Sequence, residues 1–144
     1  MKTSWVVGVI AIFAVTTGTA FAVSGQDSPE ATTNIQPVSW DAWLSAKAKA
    51  EECDAAGNLV SALQYYLEYT RQAEGLNNPA RVAWGKNNAA YMIVKMHRQD
   101  PTVDLAPAER LLKEGLALDG ATEDCRKVMA MNLEHVRSCL GRAY

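Results

Sequence analysis

The sequence predicts an all-α domain of antiparallel helix hairpins, and three observations predict it. Apolar residues return at helical spacing in five separate runs between Trp40 and Leu140. No stretch alternates apolar and polar residues as a half-buried strand would. Alanines at the centres of the first, third and fifth runs, Ala50, Ala90 and Ala130, recur at a spacing of 40. Small residues at a fixed period let successive helices approach closely, as in stacked helical units.

The first helix is predicted from its N-cap Ser39 to about Ala56, with Trp43, Ala46, Ala50 and Cys53 inward and Lys47, Lys49, Glu51 and Asp54 polar. Gly57-Asn58 breaks it. The second runs from Leu59 to Glu74, with Leu59, Ala62, Leu63, Tyr66, Tyr69 and Thr70 at helical spacing and Gly75 as the stop. Asn78-Pro79 is a strong start signal for the third, which reaches about His97. At about 100° per residue, Val82, Ala89, Ala90, Ile93 and Met96 form one apolar stripe. Trp84, Asn87, Asn88, Tyr91 and Lys95 share another side, where aromatic rings, amides and an ammonium group suit recognition better than a core. After a connection containing Pro101 and Pro107, a helix from about Leu105 to Asp119 faces Ala108, Leu111, Leu112 and Leu116 inward, and Gly120 ends it. Thr122 caps the last helix, whose apolar set is Met129, Ala130, Leu133, Val136 and Leu140.

Upstream of the helices the sequence changes character. Residues 1–22 have the organisation of a secretory signal peptide: Lys2, an apolar run from Trp5 to Val15, and Ala20-Phe21-Ala22 as a small-x-small cleavage pattern. Thr16, Thr17, Gly18 and Thr19 interrupt the run short of the roughly 20 apolar residues a membrane span needs, so no stable insertion is expected after cleavage. Residues 23–38, rich in Ser, Thr, Gln, Asn and Pro, read as a flexible linker, and residues 39–144 as the helical domain. The destination is periplasmic or secreted. A net charge of -2 in 144 residues argues against nucleic acid as an electrostatic partner. Three cysteines enter an oxidising compartment. Cys125 and Cys139 on one helix would stand about 21 Å apart, so any bridge would need Cys53.

At these packing residues the sequence resembles the tetratricopeptide repeat family. Ala46, Ala50, Cys53, Gly57, Ala62 and Tyr66 stand where that family places its small and large residues in one repeat. Asn87-Asn88-Ala89-Ala90, Ile93, Ala108 and Leu112 do so in the next, and the segment from Arg126 to Leu140 looks like the lone solvating helix that ends such arrays. The resemblance implies a short right-handed solenoid whose odd-numbered helices line a groove holding an extended peptide. Carried over, that groove receives Lys47, Glu51 and Asp54, then Trp84, Asn88, Tyr91 and Lys95, then Asp124, Lys127, Met131 and His135. Asn88 matches the asparagine that bonds a peptide backbone. Lys47 matches one lysine of a carboxylate-gripping version, but Glu51, Asp124 and Val128 stand where that version wants an amide or cations. The departures from the family are a spacing of 40 rather than 34 and no proline closing each hairpin.

The function expected is therefore an exported, non-enzymatic adaptor holding a protein or peptide segment, with Glu51 and Asp54 facing a basic residue of the partner. The alternative is a structural module that assembles as an oligomer. No cofactor is expected. His97 and His135, 38 positions apart, have no companion at metal-ligand spacing. The one candidate for reactivity is Cys125, where the start of the last helix favours a thiolate and Glu123 and Asp124 oppose it.

Overall fold

A computed structural model describes residues 35–141, so the expected signal peptide and most of the expected linker lie outside the described residues. Five helices and no strand are found there: α1 Trp40–Ala55, α2 Leu59–Gly75, α3 Pro79–Gln99, α4 Ala106–Leu116 and α5 Glu123–Cys139. Ser39, Asn58, Asn78 and Thr122 cap α1, α2, α3 and α5, each accepting from the backbone N–H three residues on. No helix among the described residues is long and apolar enough to cross a membrane.

Each helix packs on the next in the chain, and α3 also packs on α5. Ala50 and Ala62 are both fully buried in the cluster that joins α1, α2 and α3, as their spacing predicts. The closest approach of α2 and α3 is at Gly85, where a Cβ would stand 2.3 Å from Thr70 Oγ1 and 2.7 Å from Tyr69 Cδ1. Gly115 plays the same part between α4 and α5 against Met129. The largest buried cluster closes α3, α4 and α5 around Ala90, Leu112, Met129 and Val136.

Several sequence-based expectations are corrected. Ala130, expected inside, is exposed. The 40-residue register gives the reason: α3 buries Ala83, Ala90 and Val94 in the α3–α5 core, whereas α5 carries Glu123, Ala130 and Glu134 at the same positions, all exposed. At the other end, Val82, Gly85, Ala89 and Met92 of α3 are buried, while Ser45, Lys49 and Glu52 of α1 are exposed. Both outer faces are polar. The turn after α2 uses Asn77, with φ of 51°, rather than Gly75. Gly75 is small because the Val38 side chain lies on it.

Residues 35–38, expected as linker, belong to the folded unit. Gln72 is fully buried; its Oε1 accepts from Ser39 N at 2.9 Å and its Nε2 donates to the Pro37 carbonyl at 3.2 Å. Arg71 Nη2 donates to the Gln36 carbonyl at 2.6 Å and also bonds Glu68, which holds that carboxyl below its usual range. Glu109 is buried, with Lys113 Nζ at 2.7 Å and Arg137 Nε at 3.6 Å.

The fourth helix ends three residues earlier than its apolar pattern suggests. Arg126 of α5 donates to the Leu116, Leu118 and Ala121 carbonyls at 2.8, 2.6 and 3.3 Å, satisfying acceptors at the end of α4 and in the turn after it. Arg126→Met is expected to cost about 2 kcal/mol, because charged donors to carbonyls are the stronger hydrogen bonds. The urea midpoint should fall, with faster amide exchange in the last turn of α4. A midpoint unchanged within error would show that solvent replaces the guanidinium without loss.

Candidate functional site

The odd-numbered helices meet one another through side chains that frame a common face. Lys95 Nζ of α3 pairs with Asp54 Oδ1 of α1 at 2.6 Å. Asn132 Nδ2 of α5 donates to Asn87 Oδ1 of α3 at 2.9 Å. With α2 and α4 packed behind it, the side of α3 between these bridges carries Trp84, Asn88 and Tyr91, each half-buried.

The charges on this face are mostly matched already. Lys47 Nζ meets Glu51 Oε1 at 2.5 Å, and Lys127 Nζ lies 3.5 Å from Glu123 Oε1, both one turn apart on their own helices. Lys95, besides its bond to Asp54, sits 5.3 Å from the Tyr91 ring centroid. Glu51 and Asp54, expected to face a basic residue of a partner, each have a cation of this chain within 4 Å, Lys47 and Lys95. Asn87 is buried, and its Nδ2 donates to Asn88 Oδ1 at 3.3 Å. In this relay from Asn132, no acceptor among the described residues engages Asn88 Nδ2, which leaves a donor on the face.

Apolar exposure is found at Met131 and Val128, named from the sequence, and also at Leu44: 69%, 37% and 54%. Counted at the 40-residue spacing expected from the sequence, Leu44 corresponds to Trp84, Val128 to Asn88, and Met131 to Tyr91, which makes them candidates for one belt across the three helices. Trp84 and Tyr91 are half-buried and rest on the α3–α5 core, serving fold and face at once. The sequence reading did not place Leu44 here because it lies off the Trp43, Ala46 and Ala50 stripe that marks the buried side of α1; the 40-residue spacing was the signal that could have found it.

Beyond the belt, toward the C-terminal ends of α3 and α5, Arg98 Nη2 lies 3.5 Å from His135 Nε2, and His135 Nε2 lies 3.8 Å from Cys139 Sγ. At the opposite end, Arg81 stacks over the Trp43 and Trp40 rings at 4.1 and 5.1 Å. The three cysteines are unpaired: Cys125 buried, Cys53 half-buried, Cys139 exposed. Burial pushes the Cys125 thiol up, with Arg126 opposing, so the thiolate that the helix start was expected to favour is disfavoured overall. Among the described residues no group of three His, Cys, Asp or Glu side chains is placed to hold a metal ion.

Compared with known proteins, the chain matches no family model, no curated protein and no solved structure.

Proposed function

We propose that the chain is an exported, non-enzymatic adaptor with a short tetratricopeptide-like helical array, and that its odd-helix face is a groove for an extended segment of another protein. The observation that carries this reading is the exposed belt of Leu44, Val128 and Met131 beside the rings of Trp84 and Tyr91. Apolar side chains grouped on one face of a small domain favour association, because their burial releases ordered water. Asn88 Nδ2 adds a donor in the middle of the belt, within reach of a peptide carbonyl. The signal-like residues 1–22 support delivery to the periplasm or beyond.

The alternative, a module that oligomerises by stacking its ends, has less support. Both end faces are polar, with Ser45, Lys49 and Glu52 at one and Glu123 and Glu134 at the other. Stacking would desolvate these groups, a cost offset in part by covering Ala130 and the hollow beside Leu116 and Leu133.

The test is a double substitution, Leu44→Glu with Met131→Glu. Both side chains are well exposed, so stability should change by no more than about 0.5 kcal/mol per site. Capture of a partner from the envelope of the producing cell should be lost at an unchanged melting temperature. Equal capture by wild type and variant would remove the groove. Trp84→Ala is a poorer probe because Trp84 also rests on the core.

A further inference from the structure

The groove reading leaves open what chemistry a bound segment must bring besides apolar side chains. The charges on the face narrow this. Asp54, Lys47 and Lys127 have partners of opposite sign within 4 Å: Lys95 at 2.6 Å, Glu51 at 2.5 Å and Glu123 at 3.5 Å. Asp124 lies in the first turn of α5, where the helix N-terminus favours a carboxylate. Arg98 differs. It is exposed and has no carboxylate partner among the described residues, and its guanidinium reaches from α3 across to the ring of His135 on α5.

That contact uses little of what Arg98 offers. At 3.5 Å it is at the limit of a hydrogen bond, and it employs one of the five guanidinium N–H groups. Two basic side chains placed together leave a position between them that an anion relieves and a cation aggravates. The position also adjoins the belt: Arg98 is two helical turns beyond Tyr91 on α3, and His135 is one turn beyond Met131 on α5.

Resting on the groove reading, we infer that the bound segment carries an acidic side chain following its apolar anchors, and that Arg98 and His135 hold its carboxylate. Arg98 supplies a planar fork that matches two carboxylate oxygens. Neutral His135 supplies an N–H in one tautomer and, when protonated, a charge. Both groups are exposed, so the peptide chain can continue past this point on either side. An aspartate or glutamate within the segment fits that openness.

The experiment is selection of a random peptide library displayed on phage, with each peptide's C-terminus fused to the coat protein. The baits are the wild-type chain, Arg98→Glu and Met131→Glu, each checked for an unchanged melting temperature. Wild type should enrich apolar anchors with an acidic residue at a fixed spacing, and Arg98→Glu should replace that acid by lysine or arginine. In titrations of a selected synthetic peptide, Arg98→Ala or Asp/Glu→Asn/Gln in the peptide should weaken binding about tenfold, the scale of a charge-assisted hydrogen bond. Anchors without an acid, or the same acid preference on Arg98→Glu, would overturn the inference and leave the groove standing, provided Met131→Glu loses those peptides. Enrichment on wild type no greater than on Met131→Glu would remove both. An acidic preference seen only in a parallel library with free C-termini would overturn the side-chain assignment in favour of a terminal carboxylate.

Discussion

Trp43→Ala is expected to lower the unfolding free energy by about 3 to 5 kcal/mol, as for buried aromatic residues cut back to alanine. Trp43 is 4% exposed, and its ring lies 4.9 Å from that of Tyr69 at 47°. Arg81 stacks on it at 4.1 Å, and Trp40 meets it edge-on at 6.0 Å. These contacts tie α1, α2 and α3 together where the smallest of the three buried clusters has little else to spare: Ala46, Tyr69, Ala73 and Val82 complete it. Removing the ring leaves a cavity beside a guanidinium that has lost an aromatic face worth about 1 to 2 kcal/mol when desolvated. The urea midpoint is the measurement. Trp43→Phe is the informative companion, because among the described residues the buried indole Nε1 makes no hydrogen bond of good geometry. Losing that donor offsets part of the lost volume, so the phenylalanine variant should fall well short of the alanine one. A loss below about 1 kcal/mol for Trp43→Ala would mean that this end of the domain repacks freely.

The helices were legible because their signals are local. Caps at Ser39, Asn58, Asn78 and Thr122 and the small residues Ala50, Ala62, Ala90 and Ala108 depend on neighbours within a turn or on one packing partner. The half-buried Trp84, Asn88 and Tyr91 share one side of α3, which the same local spacing shows. What a single helix cannot reveal is a bond across helices. Asp54 and Lys95 are 41 positions apart, and each looked available on its own helix while the fold joins them. Gln72 falls outside the apolar pattern of α2, and its burial depends on partners supplied by residues 36–39, more than 30 positions away. Ala130 was misplaced because its spacing matches Ala50 and Ala90, although no described helix covers that face of α5. Periodicity tells which side of a helix resembles another; it does not tell whether a neighbour is there to cover it.

Met129→Ala should cost about 2 to 5 kcal/mol, and its interaction with Gly115 should reverse the sign of a second substitution. Met129 is fully buried, and a Cβ on Gly115 would stand 2.6 Å from its sulfur. In the wild-type chain Gly115→Ala must push that sulfur into a packed core, at about 1 to 3 kcal/mol, partly offset by the roughly 1 kcal/mol that alanine gains over glycine in a helix. With Met129→Ala the obstacle is gone. The added methyl then enters the vacated space and keeps the helix propensity gain, so Gly115→Ala should become stabilising. A double-mutant cycle read from urea midpoints measures the coupling, expected at about 1 to 3 kcal/mol. Strict additivity would show that the methionine, an unbranched and adaptable side chain, steps aside without cost. A sign reversal would instead show that the glycine is present for the closeness of α4 to α5. That closeness lets Arg126 reach the end of α4 and fixes the helix that carries Val128, Met131 and His135.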